Sequence, residues 1–113
     1  MTSAFGYASD APSQRAIDAL PGLVLLEFDT DWCGFCLASA PIVIKALAAR
    51  PAVKHLKVED GPGRALGRSF QVKRWPTLIF LADGQEVARL VRPEQEDAVA
   101  QALAAIDPVD SVQ

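Results

Sequence analysis

The run Leu23-Val24-Leu25-Leu26-Glu27-Phe28 is apolar at five of its six positions. It does not alternate with polar residues, so it reads as a strand buried on both faces. Such a strand needs cover on each side, which points to a central sheet with helices packed against it.

The flanking segments supply those helices. Ser9-Asp10-Ala11-Pro12 has the form of a helix start, and Ala16, Ile17 and Leu20 continue an apolar stripe that Pro21-Gly22 stops. Leu37 to Arg50 repeats apolar residues at helical spacing, with Ile42, Val43, Ala46 and Leu47 as the inner face. Pro41 inside that segment predicts a kink or a division, and Pro51 ends it.

Val53 to Val58 alternates as a strand does, Gly61-Pro62-Gly63 is a turn, and Arg64 to Phe70 makes a short helix with Ala65, Leu66 and Phe70 inward. Thr77 to Leu81 is a strong strand, Ala82-Asp83-Gly84-Gln85 a hairpin signal, and Glu86 to Val91 the returning strand. Pro93 opens a last helix, Glu94 to Ile106, with Val99, Leu103 and Ile106 inward and fraying from residue 107. Met1 to Ala8 reads as a weak edge strand or an irregular start. The order β-α-β-α-β-β-α predicts an α/β fold, a mixed central β-sheet of four to five strands flanked by helices.

With 113 residues and no linker or repeat, residues 1–113 read as a single domain with its core at about 9–106. A net charge of −3 gives no electrostatic reason to bind nucleic acid or an anionic membrane surface. Met1 to Gly6 lacks a basic start followed by an apolar stretch, so it is not a secretory signal as written.

The only two cysteines lie in Trp32-Cys33-Gly34-Phe35-Cys36, between the buried strand and the helix that follows. This spacing closes a small disulfide ring or donates half a metal site. Zinc wants four ligands and His55 is the only histidine, which disfavours metal. A lone closely spaced pair is no disulfide framework, so the expected compartment is the cytoplasm, where dithiols cycle.

Cys33 at the start of a helix meets unpaired N–H groups and the positive end of the dipole, which favour thiolate. Cys36 lies one turn on, pointing inward. Glu27 interrupts an apolar strand, and a carboxylate there needs a partner or a proton; burial alone would raise its pKa. Phe35 keeps a backbone N–H that could point at the Cys33 sulfur. Such a bond is worth about 1.5 kcal/mol, or about 30 mV for a two-electron couple, and would make the dithiol less reducing.

Phe28, Trp32-Cys33-Gly34-x-Cys36, Pro41, Trp75-Pro76-Thr77 and the Asp83-Gly84 hairpin together resemble the thioredoxin family over nearly the whole chain. The resemblance implies a thioredoxin fold and a thiol–disulfide oxidoreductase. It implies Cys33 as the attacking thiol, Cys36 as the resolving thiol, and Pro76 at a cis-proline beside them. It places Glu27 at a buried acid that takes the Cys36 proton, and His55 near a strand lysine that faces this acid. By itself His55 reads as a strand residue and not as a catalytic base.

The resemblance further implies a substrate groove rimmed by Trp32, Phe35, Trp75 and Pro76, with the Trp75 backbone free to pair with an extended partner. The implied partners are disulfide-containing proteins and a thioredoxin reductase or other dithiol donor. The protein would act as a monomer in cell redox homeostasis and electron transport, with no cofactor beyond the Cys33–Cys36 disulfide. Two other readings remain at this level, an exported disulfide oxidant or isomerase, and a non-catalytic binding module on the same fold.

The chain departs from the family at five places. Phe35 replaces a proline, Asp29 an aromatic residue, and Arg92 a glycine at the groove. Trp75 is larger than the usual residue before the cis-proline, and the segment from Asp60 to Pro76 is longer than usual.

Overall fold

The computed structural model describes residues 12–107. The expected N-terminal strand and the helix start at Ser9 to Ala11 lie outside the described residues. Helix α1 spans Gln14–Asp18, and its cap is Ser13, whose hydroxyl accepts the Ala16 N–H at 3.1 Å. Then come β1 (Leu23–Asp29), α2 (Gly34–Ala48), β2 (Lys54–Glu59), α3 (Ala65–Ser69), β3 (Thr77–Ala82), β4 (Gln85–Val91) and α4 (Glu96–Ile106).

The four strands form one mixed sheet in the order β2-β1-β3-β4. β1 runs parallel to β2, with Glu27 opposite Lys57, and antiparallel to β3, with Glu27 opposite Leu78. The α2 crossover makes the parallel pair possible, since parallel strands cannot be joined by a tight turn. β3 and β4 pair through the Asp83-Gly84 turn, where both residues have positive φ, 50° and 81°. A two-residue turn of that hand matches the twist of the strands. Gly84 is required there twice over, because a Cβ would also run into the Asp18 carbonyl.

Successive β1 side chains alternate between two cores. Leu25 joins Val43 and Ala46 of α2 and Val99, Leu103 and Ile106 of α4. Val24, Leu26 and Phe28 join Ile17 of α1, Leu66 near α3's start, Phe70 and β3's Ile79 and Leu81. Each fully buried Leu, Val or Phe is worth roughly 1.5–3 kcal/mol relative to exposure.

Pro41 sits inside α2, which runs through it as one helix, so of the two outcomes expected the division does not occur. Three details differ from the sequence reading. Ala65 is exposed, and Gly67 takes the inward place beside Leu66. α4 starts at Glu96 rather than Glu94, because Arg92 at φ 53°, Pro93 and the extended Gln95 carry the chain from strand to helix. Asp107 is not frayed: it is buried, and Arg50 Nη1 donates to its carbonyl at 2.5 Å.

Candidate active site

The site lies where β1 ends and α2 begins. Thr30 to Trp32 turn the chain, and Cys33 caps α2 in extended geometry, φ −95° and ψ 112°. Its sulfur takes the cap's role and accepts the Cys36 N–H at 3.1 Å. A donated N–H at a helix N-terminus is the surrounding a thiolate uses. The donor is Cys36 and not Phe35, so the expected contribution of the Phe35 N–H falls away; any residue at position 35 leaves this bond in place. Both cysteines are free and buried.

The Trp75-Pro76 peptide is cis. The Trp75 carbonyl faces the dithiol and accepts from Cys33 Sγ at 3.5 Å. It also accepts from Arg92 Nε at 3.0 Å, and the same guanidinium lies 3.9 Å above the Phe35 ring. The carbonyl expected to be open to a partner is therefore capped by Arg92. Trp32 is 72% exposed and meets Trp75 edge-to-face, with centroids 5.4 Å apart. Trp75 belongs to both rim and core: it packs beside the Phe28 cluster, and its Nε1 donates to Asp60 Oδ2 at 2.9 Å. Gly67 leaves the room that Asp60 occupies, since a Cβ there would overlap its carboxylate.

Under the dithiol lie two carboxylates on the α2-facing side of β1. Glu27 is 2% exposed, and His55 Nε2 donates to its Oε1 at 2.6 Å. Burial pushes Glu27 up, but the hydrogen bonds from His55 and Asp29 and the His55 and Lys57 charges outweigh it and hold the group below its ordinary value. The rise expected from burial alone is thus reversed, and His55, a residue of β2, faces the acid at the place the resemblance implied.

Asp29 is equally buried, with Lys57 Nζ 3.6 Å from Oδ2. Burial, the hydrogen bond with Glu27 and the Glu27 charge push it up to about 8, against the pull of Lys57. Of two close carboxylates, the charge of one raises the other in this way. Burial and the hydrogen bond to Cys33 push the Cys36 thiol well above the ordinary thiol value; the Thr30 backbone N–H opposes this, and the Asp29 and Cys33 charges add to it.

The structure brings Cys33, Cys36, Trp32, Phe35, Trp75 and Pro76 to one end of the sheet, with Trp32 and Phe35 exposed, Cys33, Cys36 and Pro76 buried, and Glu27 on β1 also buried. Sequence reasoning noted Asp29 and Arg92 only as departures and missed Lys57. Their signal was positional: Lys57 follows His55 by two residues, so both share the face that looks at Glu27 and Asp29. Among the described residues no group of three or more His, Cys, Asp or Glu could hold a metal ion. No described helix is long and apolar enough to cross a membrane.

The thioredoxin family model matches residues 8–105. The chain is 40% identical over 79 residues to the thioredoxin of Chlamydia trachomatis, covering 69% of this chain and 76% of that one. It is 35% identical over 75 residues to thioredoxin H-type 1 of Nicotiana tabacum, covering 66% of this chain and 60% of the tobacco protein, so the match spans less than two thirds of that relative. Among solved structures, reduced thioredoxin 2 from Pseudomonas aeruginosa PAO1 is 48% identical with a TM-score of 0.84, covering 95% of this chain and 99% of that one. With a dithiol at the start of α2, a cis-proline facing it and these relatives, the chain belongs to the thioredoxin family of thiol–disulfide oxidoreductases.

Proposed function

We propose that the protein reduces disulfides in partner proteins through a Cys33–Cys36 dithiol cycle. Cys33 attacks a partner disulfide, a mixed disulfide forms, and Cys36 resolves it. The pair leaves as a disulfide, and a thioredoxin reductase or another dithiol donor restores it. The observation that carries this reading is the Cys33 sulfur as the cap of α2, held by the Cys36 N–H and facing the Trp75 carbonyl.

Trp32, Phe35, Trp75 and Pro76 form the surface on which the partner settles, and Arg92 must leave the Trp75 carbonyl before an extended segment can pair with it. Glu27 belongs to the proton machinery behind Cys36, fixed by His55. A chain whose only cysteines are this pair suits a compartment that keeps thiols reduced, and we place it in the cytoplasm as a monomer.

Insulin-disulfide reduction driven by dithiothreitol tests the proposal. The wild-type protein should accelerate it and Cys33→Ser should remove the acceleration. A wild-type rate no better than dithiothreitol alone would instead favour a non-catalytic binding module. A dithiol that oxidises thiols far more readily than it reduces insulin would favour the exported oxidant.

A further inference from the structure

Two polar atoms at the end of β1, Asp29 Oδ1 and Thr30 Oγ1, are fully buried and receive no hydrogen bond. Leaving a buried acceptor unmatched costs about 1–3 kcal/mol, so adjacent cases call for a reason. Alternation along β1 puts Leu25, Glu27 and Asp29 on the same face, and Leu25 packs against α2 there. Cys36, on the first turn of α2, is buried over that face with its sulfur beside the Thr30 N–H and within the field of Asp29.

The two carboxylates differ in what already holds them. Glu27 is engaged by His55 at 2.6 Å. Asp29 has one oxygen near Lys57 and the other without a donor.

We propose that Asp29, not Glu27, is the immediate proton acceptor for Cys36, with the Glu27–His55 pair positioning it from behind. This rests on the exchange cycle above. In the mixed disulfide, the Cys36 thiol gives its proton to the Asp29 carboxylate. The Cys36 thiolate then attacks Cys33 Sγ, and a Cys33–Cys36 bond forms as the bond between Cys33 and the partner breaks. The partner sulfur departs with the electron pair as a thiolate and is protonated by Asp29 or solvent. Two electrons pass from the dithiol to the partner.

The groups that face Asp29 fit this role. Glu27 on β1 is held below its ordinary value beside it, with Lys57 3.6 Å from Asp29 Oδ2 and His55 bonded to Glu27 from β2. Cys36 on the first turn of α2 lies within its field. With its value near 8, Asp29 changes charge close to neutral pH, where an acid–base group works best.

Reaction of the reduced protein with 5,5′-dithiobis(2-nitrobenzoate), followed by stopped flow from pH 6 to 9, separates the two steps. The first thionitrobenzoate released reports attack by Cys33, and the second reports resolution by Cys36. The second phase of the wild-type protein should rise through a step near pH 8. Asp29→Asn should lose that step and slow the phase roughly 100-fold, the low end of general-base effects. Glu27→Gln should keep a step but move it to lower pH, because the Glu27 charge helps hold Asp29 up. Retention of the step in Asp29→Asn, or its loss in Glu27→Gln alone, would overturn the assignment. In the unmodified protein, the Asp29 carboxyl carbon should titrate near pH 8 by NMR, and titration near 4 would equally overturn it. Loss of the first phase in the wild-type protein would count against the exchange cycle itself.

Discussion

The two faces of β1 have been put to different uses. Val24, Leu26 and Phe28 face α1 and Phe70 and are apolar to the end of the strand. On the other face the residues change along the strand, from Leu25 to Glu27 to Asp29, as the chain approaches Cys33. One face is a packing surface throughout. The other starts as packing and ends as chemistry, and the ionisable groups collect where α2 presents Cys36. A thin sheet keeps charges in its interior by gathering them at one end of one face, with Lys57 and His55 of β2 beside them, while the opposite face supplies the stability.

The sharpest way to break this comparison is to cut into the apolar face. Phe28→Ala should cost about 3–5 kcal/mol, the usual range for a buried Phe. Denaturant unfolding should show it as a lowered midpoint, while the pH dependence of resolution in the folded fraction should not move.

A smaller effect, of opposite sign, is expected on the charged face. The folded-state pKa of Asp29 is raised to about 8 while its unfolded value is near 4. Between these values the folded chain holds a proton that the unfolded chain has lost, so stability falls as pH rises from 4 to 8 and levels off above. Asp29→Leu should remove that slope and so gain on the wild type as pH rises from 4 toward 8. The gain should shrink toward pH 4. Thermal melts across that range check it, and equal slopes in the two proteins would show that the charge is not held in the way described.

The smallest effect belongs to the rim, outside both faces. Arg92→Gly removes the cap on the Trp75 carbonyl and relieves a positive φ. Stability should stay nearly level, and KM for a protein disulfide should fall roughly two- to tenfold, one hydrogen bond's worth. A changed kcat with KM unmoved would show that Arg92 acts on the chemistry and not on access.

Much of this was legible in the chain because its signals are local. An unbroken apolar run, a proline at a helix interior, an Asp-Gly turn and a Cys-x-x-Cys between strand and helix each declare themselves within a few residues. The pairing of Glu27 with His55 did not, since it depends on the register of two parallel strands separated by a whole helix. The same holds for Lys57 beside Asp29. Ala65 and Gly67 exchanged places because a five-residue helix is too short for its spacing to choose a face. Asp107 looked like a free end because its partner, Arg50, lies just past the C-terminal end of α2, far away in sequence. The capped Trp75 carbonyl came from the backbone turn at Arg92, which no side-chain pattern announces.

Both tryptophans of the chain, Trp32 and Trp75, meet edge-to-face at the dithiol, and there is no third. All indole emission from this protein therefore originates within its redox site. Oxidation, partner docking and movement of Arg92 act on the same two chromophores, with no background from elsewhere in the fold. The molecule carries its own optical gauge, and its working cycle can be watched without a label.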